Sequence, residues 1–125
     1  MDQILATFHQ LIELQGVAGV YALTPDGFLT ESLHAAKVDP EGVAAESAVV
    51  HMTSYRVGQD LSLGNLKWIV LEYKKGKIII APRGEYVWTV IADKNVAFGN
   101  LIRVLGAGQQ ENAPHHEQPA TDTEE

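Results

Sequence analysis

The stretch LKWIVLEY, residues 66–73, decides the fold because it has the composition of a β-strand without the alternation of a half-buried one. Its centre, Trp68 to Leu71, is apolar at every position, whereas a strand with one solvated face alternates apolar and polar residues. The segment KIIIA, residues 77–81, has the same character. We therefore expect an antiparallel sheet with helices packed on both of its faces.

The order of the remaining elements follows from hydrophobic periodicity and turn residues. A helix is predicted over residues 2–15, and a hairpin over strands 17–24 and 28–33 with PDG at its turn. A second helix, capped by Asp39 with Pro40 at its first position, ends at Gly58. Strands 66–73, 77–81 and 86–92 come next, and then a helix capped by Asp93 and stopped by Gly106 and Gly108.

This order, α-β-β-α-β-β-β-α, predicts an α+β fold with a five-stranded antiparallel sheet, since the loops have hairpin length. Three helices can cover both faces of the sheet if two pack on one face and one packs on the other. At 125 residues the chain suits one domain, which we assign to residues 1–107. Residues 108–125 are predicted to form a disordered acidic tail, because from residue 109 there are five acids and no Lys or Arg.

The second helix is apolar nearly all round. Its two stripes are Ala44, Ala48, Met52 and Tyr55, and Val43, Ser47, Val50, Ser54 and Val57. A helix packed on one side needs only one stripe, so this pattern favours burial against another chain in a symmetric dimer. The alternative is deep burial under loops of the same chain. The predicted dimer contacts are Trp68, Ile69, Val70, Leu71, Val49 and Met52.

Composition excludes several classes of protein. The chain has no cysteine, which excludes disulfides and thiolate sites. Outside the tail there are eleven acids and nine bases, so no basic face for nucleic acid is expected. The N-terminus lacks the basic residues of a signal peptide, and no apolar run reaches about eighteen residues. We expect a soluble, cytoplasmic protein that is not inserted in a membrane.

No catalytic motif is present. The chain lacks a nucleophile elbow, a phosphate-binding loop and a paired-histidine metal motif. The five histidines are scattered, and the apolar setting of His51 is typical of a core or interface residue rather than a base. We predict no catalytic residue, no metal and no cofactor. Of the three arginines, only Arg83, in the turn PRGE, is predicted to lie at a loop tip.

The order of these motifs resembles the roadblock family, which includes dynein light-chain roadblock proteins and the bacterial MglB regulators. The likeness rests on GVAGVYALTPDGFLTES, PEGVAAESAVV, GNLKWIVLEYKKGKIIIAPRGEYVWTVIAD and NVAFGNLIRVL. It covers about residues 3 to 106. The family often has Leu-Gly near the start of the last helix, where this chain has NVAFGN.

The resemblance implies a homodimer joined through the third strand and second helix, with two helices on one face of the sheet and one on the other. It also implies binding to a Ras-like small GTPase, here a prokaryotic one, and in the MglB branch stimulation of its GTP hydrolysis, with no active site in the chain itself. Glu46, Thr53 and Arg56 are the expected GTPase contacts. Two alternatives stay open: an adaptor of the same fold that leaves hydrolysis unchanged, and a sensor-like module with a small-molecule pocket.

Overall fold

The computed structural model describes the backbone of residues 2–34 and 37–112, and side chains within residues 5–34 and 37–106. Its helices are α1 (Asp2–Ile12), α2 (Pro40–Asp60) and α3 (Phe98–Asn112). Its strands are β1 (Val17–Leu23), β2 (Leu29–His34), β3 (Ile69–Glu72), β4 (Gly76–Arg83) and β5 (Tyr86–Asp93). The predicted element order is confirmed.

The five strands form one antiparallel sheet in the order β2-β1-β5-β4-β3. β2 and β3 are therefore the two edge strands. Alternate side chains of each strand point to opposite faces, so the sheet has two apolar surfaces to bury.

The larger core cluster lies between the sheet and helices α1 and α3. Phe8 of α1 meets Trp88 of β5 edge to face, with ring centroids 4.7 Å apart. Leu101 and Leu105 of α3 pack in the same cluster, together with Val20 and Val90 of the sheet. The smaller cluster lies under α2 and contains Ala44, Ala48, Leu23, Ile80 and Val87. Helices α1 and α3 thus pack on one face of the sheet, and α2 packs on the other.

Both faces of the sheet are buried at the centre of β4 but not along β3. Ile79 and Ile80 are each at most 1% exposed. In β3, Val70 is 38% exposed, and the preceding Trp68 is 37% exposed. The expectation that the helices cover both faces of the 66–73 segment is wrong for this edge strand within the single chain.

Helix α1 ends at Ile12, three residues before its predicted end. Helices α2 and α3 extend past the glycines predicted to stop them, because glycine ends a helix only where its backbone turns. Gly58 lies inside α2, which continues to Asp60, and Ser62 adopts the positive φ of 58° just beyond it. A Cβ on Gly58 would lie 3.3 Å from the Gly64 carbonyl oxygen, so the small residue leaves room for the returning loop. Gly106 and Gly108 likewise lie within α3.

The predicted helix cap at Asp93 is wrong. Asp93 is the last residue of β5, and its Oδ1 accepts the N–H of Asn95 at 2.8 Å in the next turn. The helix begins only at Phe98. Asp39 does precede α2, with Pro40 first in the helix, but its side chain makes no capping hydrogen bond.

The predicted tail begins inside α3, which extends to Asn112. The rest of that tail, residues 113–125, lies outside the described residues.

Candidate interaction surface

Helix α2 is fixed to the sheet by a narrow strip of small residues. Ala44, Ser47 and Ala48 are buried. The hydroxyl of Thr89 in β5 donates a hydrogen bond of 2.8 Å to Ser47 Oγ inside this contact. Because these side chains are small, the helix lies close to the sheet and turns its larger apolar residues elsewhere.

Those larger residues are exposed. Val49 is 59% exposed, Met52 48% and Val57 50%. A surface helix of a monomer normally presents polar residues away from its core. The apolar residues predicted on the other sides of α2 are therefore exposed in the structure. Loops of the described chain do not bury them.

One side of α2 faces a groove of about 420 Å³ that runs toward the β3 edge. Val43 and Val50 form its helix wall, and Leu71, Ile78 and Ile91 belong to its strand side. Asp39 and Glu46 add carboxylates to the lining. The groove is thus mainly apolar with acidic groups at α2, and β3 supplies its outer strand.

The opposite side of α2 faces the β1–β2 turn. Gly27, with φ +101°, lets that turn approach the helix: a Cβ there would lie 3.4 Å from the Cβ of Ala48. A depression of about 470 Å³ lies between them, lined by Pro25, Asp26, His51, Met52 and Tyr55. No sequence pattern indicates this depression, because it depends on how the turn meets the helix.

His51 is partly enclosed at this depression. Its ring stacks on Tyr55 at 6.1 Å between centroids. Its Nε2 is buried and has no hydrogen-bond partner among the described residues. Burial lowers the pKa of His51 below its ordinary value of 6.5, because the charged imidazolium loses solvation.

The structure separates the six predicted dimer residues into two groups. Trp68 and Val70 are partly exposed at the β3 edge, and Leu71 lines the groove beside it. Ile69 packs against the cluster under α2. Met52 lies on the far side of α2, against the depression at the β1–β2 turn, and Val49 is 59% exposed on the same helix. The apolar α2 side chains that accompany β3 in the groove are Val43 and Val50, neither of which is among the six.

The predicted GTPase contacts Glu46, Thr53 and Arg56 are all exposed on α2. At 100° per residue, Glu46 and Thr53 lie almost in line along the helix, and Arg56 lies about 60° further round. They form a polar ridge opposite the buried strip, and Glu46 also borders the groove.

The prediction that Arg83 lies at a loop tip is wrong. It ends β4, is 5% exposed, and its guanidinium lies over the Trp88 ring at 4.1 Å from the centroid. Stacking on a large aromatic face holds the side chain inside the fold. Arg103 is exposed on α3 and donates to Asn100 Oδ1 at 2.7 Å.

Neither a membrane span nor a metal cluster occurs in the part of the chain that the structure describes. No helix there combines the length and apolarity needed to cross a bilayer. No group of three or more His, Asp or Glu side chains there is placed to hold a metal ion. The candidate interaction surface is therefore the exposed side of α2, which carries both apolar and polar residues, together with the adjoining β3 edge.

A family model, described as the Roadblock/LC7 domain, matches residues 4–92. The chain belongs to the Roadblock/LC7 family. The matched region contains α2, β3 and the groove between them, so this interaction surface is part of the family domain. Helix α3 lies beyond the match.

Solved structures with the same fold include several roadblock proteins. MglB of Myxococcus xanthus has a TM-score of 0.79 and 17% identity, with 87% of this chain and 90% of that chain covered. A Roadblock/LC7 domain from Streptomyces avermitilis has a TM-score of 0.77 and 13% identity, covering 85% and 91%. A structure described as MglB with tetrameric arrangement has a TM-score of 0.78 and 13% identity, covering 90% and 86%.

A relative by sequence comes from Methanocaldococcus jannaschii. The protein named "Uncharacterized protein MJ0310" is 27% identical over 104 residues, which cover 83% of this chain and 88% of that protein. Family membership and fold thus agree with the resemblance carried by the sequence motifs.

Proposed function

We propose that this Roadblock/LC7 protein acts in the cytoplasm as a homodimer that binds a Ras-like small GTPase and stimulates its GTP hydrolysis. The observation that carries the proposal is the exposed apolar surface of α2, a 21-residue helix of which only Ala44, Ser47 and Ala48 are buried. Membership of the family, and the shared fold with MglB structures, support a regulatory role. In this proposal the chain has no active site of its own.

Self-association uses the β3 edge and the groove side of α2. An unpaired edge strand offers free N–H and C=O groups, which another strand satisfies. Val50 and Val57 lie about 20° apart on the groove side of the helix, by the 100° rotation per residue. A second copy placed there covers both the edge and these valines.

The GTPase contacts the ridge formed by Glu46, Thr53 and Arg56. Thr53 and Arg56 stay exposed when the groove side is covered, whereas Glu46 lies at the border of the covered side. The ridge carries both signs of charge, which gives specificity to an encounter with a charged partner. The depression beside Met52 and Tyr55 lies next to this ridge and offers apolar area to the same partner.

Stimulation acts through the GTPase switch loops rather than through an arginine finger. An arginine finger is a side chain that must reach the nucleotide bound to the partner. It raises the rate of GTP hydrolysis by a factor of roughly 10³ to 10⁵. Arg83 is held over Trp88 inside the fold. Arg56 and Arg103 project from helices, so neither has the mobility of a loop tip. A dimer that favours one switch conformation stimulates hydrolysis by population shift instead.

The test uses the product of any Ras-like GTPase gene that is found beside the gene for this chain. Binding is measured by calorimetry with the GTPase loaded with GDP or with a non-hydrolysable GTP analogue. Preference for the GTP form and a faster single-turnover hydrolysis support the proposal. Tight binding with an unchanged hydrolysis rate would identify the protein as an adaptor. If neither the GDP form nor the GTP-analogue form binds, both the stimulating role and the adaptor role are overturned.

A further inference from the structure

Four lysines converge at one end of the sheet. Lys74 and Lys75 form the turn between β3 and β4, because the residues on either side of them exchange backbone hydrogen bonds. Lys77, near the start of β4, donates from Nζ to the backbone oxygen of Lys94 at 3.2 Å, and Lys94 directly follows β5. These four residues make up a group that we call the lysine end.

The positive charge of the lysine end is largely unpaired within the described chain. Lys77 lies 3.9 Å from the carboxylate oxygen Oε2 of Glu72. The other three lysines are exposed, and their side chains have no ion pair or hydrogen bond with the described residues. Asp93, which borders the group, uses its carboxylate to accept the N–H of Asn95. The lysine end can therefore attract further negative charge.

Protection of the sheet edge explains only part of this group. Lysines beside an edge strand limit aggregation, and Lys74 and Lys75 lie next to the open edge of β3. Lys77 is not at an edge, because β4 lies between β3 and β5, and Lys94 follows the central strand β5. The convergence of all four side chains favours an anionic partner.

The chain itself carries a segment of the opposite charge. Residues 113–125, which lie outside the described residues, contain four acids and neither Lys nor Arg. The acids are Glu117, Asp122, Glu124 and Glu125. This acidic segment has no Val, Leu, Ile, Met, Phe, Tyr or Trp, so charge rather than apolar burial must hold it on any surface.

The length of chain after α3 decides which acids reach the lysine end. α3 begins five residues after β5 and packs back across the sheet through Leu101 and Leu105. Its 15 residues span about 22 Å. An extended chain covers about 3.4 Å per residue, so Glu117 reaches at most about 17 Å beyond Asn112, whereas Asp122 reaches about 34 Å. Only the acids from Asp122 onward can return to the start of α3.

We propose that the acidic segment docks on the lysine end of the same chain through Asp122, Glu124 and Glu125. Attachment to the same chain gives the segment an effective concentration on the order of millimolar, so weak ion pairs suffice. Separate copies, each with a net charge of −7, repel one another. This inference depends neither on GTPase binding nor on self-association.

A docked segment acts as an internal competitor for the lysine end. Its carboxylates neutralise the exposed lysines, so another acidic protein segment gains this surface only by displacing it. Because the contact is electrostatic and exposed, salt should weaken it. The Debye length falls from about 30 Å at about 0.01 M salt to about 3 Å at about 1 M.

Pairs of introduced cysteines measure docking without altering any charge, because the chain has no cysteine of its own. Thr123→Cys lies between two of the docking acids, and Asn95→Cys lies next to Lys94. In the double variant, mild oxidation of the docked segment forms a disulfide within one chain. A non-reducing gel follows its rate and separates it from a disulfide between two chains.

Asn65→Cys combined with Thr123→Cys is the matched control. Asn65 is exposed and precedes β3, at the opposite end of the sheet from the lysine end. Each rate is divided by the rate at which the single Asn→Cys variant reacts with a neutral disulfide, which corrects for differences in thiol pKa. At low salt the Asn95 pair should close at least about tenfold faster than the Asn65 pair, and this ratio should fall at least about fivefold at about 1 M salt.

Charge substitutions in the Asn95→Cys, Thr123→Cys protein identify the groups responsible. Lys74→Gln with Lys75→Gln should lower the rate at low salt toward that of the Asn65 pair. Glu117→Gln should leave it unchanged, because Glu117 is too close to α3 to reach the lysines. Equal loss from Glu117→Gln would contradict the argument from reach.

Three results would overturn the inference. Equal rates for the two pairs at low salt would show that the segment does not dock here, which leaves the lysines to a separate acidic partner. A preference for Asn95 that salt does not reduce would exclude docking by charge. A disulfide that joins two chains at the faster rate would place the segment on a second copy.

Discussion

Thr89 of β5 donates a buried hydrogen bond of 2.8 Å to Ser47 of α2, where the helix crosses the middle of the sheet. Val87 and Ile80 pack beside this bond in the same layer. Among the described residues this bond is a polar contact within a mainly apolar interface, and together with the packing of Ala44 and Ala48 it holds α2 in one rotation about its axis. That rotation decides which side of the helix faces the groove and which faces the β1–β2 turn.

Removing both hydroxyls should destabilise the fold by less than the sum of the two single losses. Ser47→Ala leaves the Thr89 hydroxyl buried without its partner, at a cost of about 1–2 kcal/mol in the free energy of unfolding. Thr89→Val should cost a similar amount, and the double variant less than the sum. Urea denaturation of all four proteins measures the coupling. Strictly additive losses would show that the two hydroxyls do not act as a pair.

The β3 edge should be required for dimerisation, whereas a more exposed aromatic residue elsewhere should not. Trp68→Lys places a charge in the proposed interface and should lower the mass from twice 13.6 kDa to 13.6 kDa. Phe28→Lys is the control, because Phe28 is 68% exposed in the β1–β2 turn. Light scattering at matched concentrations compares them. A Trp68→Lys protein that keeps the dimer mass would place the interface elsewhere.

Acid should weaken the fold through His51. Burial lowers its pKa in the folded state, so the unfolded chain takes up this proton first as the pH falls. The free energy of unfolding should therefore drop as the pH passes below 6.5 and level off below the folded-state pKa. His51→Gln should remove this component. Urea titrations from about pH 8 to about pH 5 compare the two proteins; identical pH profiles would show that burial of His51 has no effect on stability.

None of the three arginines should supply a catalytic charge. Arg56→Ala, Arg83→Ala and Arg103→Ala should each change the single-turnover rate of a bound GTPase by less than about tenfold, far below the loss of an arginine finger. Arg83→Ala should instead lower the stability of the fold by about 1–2 kcal/mol, because it loses the stack on Trp88. A loss near a thousandfold for Arg56→Ala with binding intact would identify it as a finger.

The sequence predicts the fold well where a pattern is set by burial alone. The apolar runs of β1, β4 and β5 reflect contacts within the chain, and these strands are found within two residues of their predicted bounds. The 66–73 segment shows the limit of this reasoning. Its apolar pattern indicates cover on both faces, but β3 lies at the sheet edge and has only β4 as a partner.

The interaction surface is predictable only in part. Periodicity identifies α2 as apolar on several sides, and the structure exposes that surface. Periodicity does not say which side faces the sheet, so it groups Met52 with the β3 edge although that residue lies at the β1–β2 turn. The position of Arg83 escapes sequence reasoning because a turn motif does not reveal that the side chain folds back over Trp88.

Single-turnover GTP hydrolysis by a Ras-like GTPase that binds this chain, measured against increasing concentrations of this protein, tests the central claim most directly. We predict that the rate rises and saturates with the wild-type chain. Trp68→Lys, folded but monomeric, should leave the rate at its intrinsic value at the same concentrations. A saturated complex whose hydrolysis rate equals that of the GTPase alone would contradict the account.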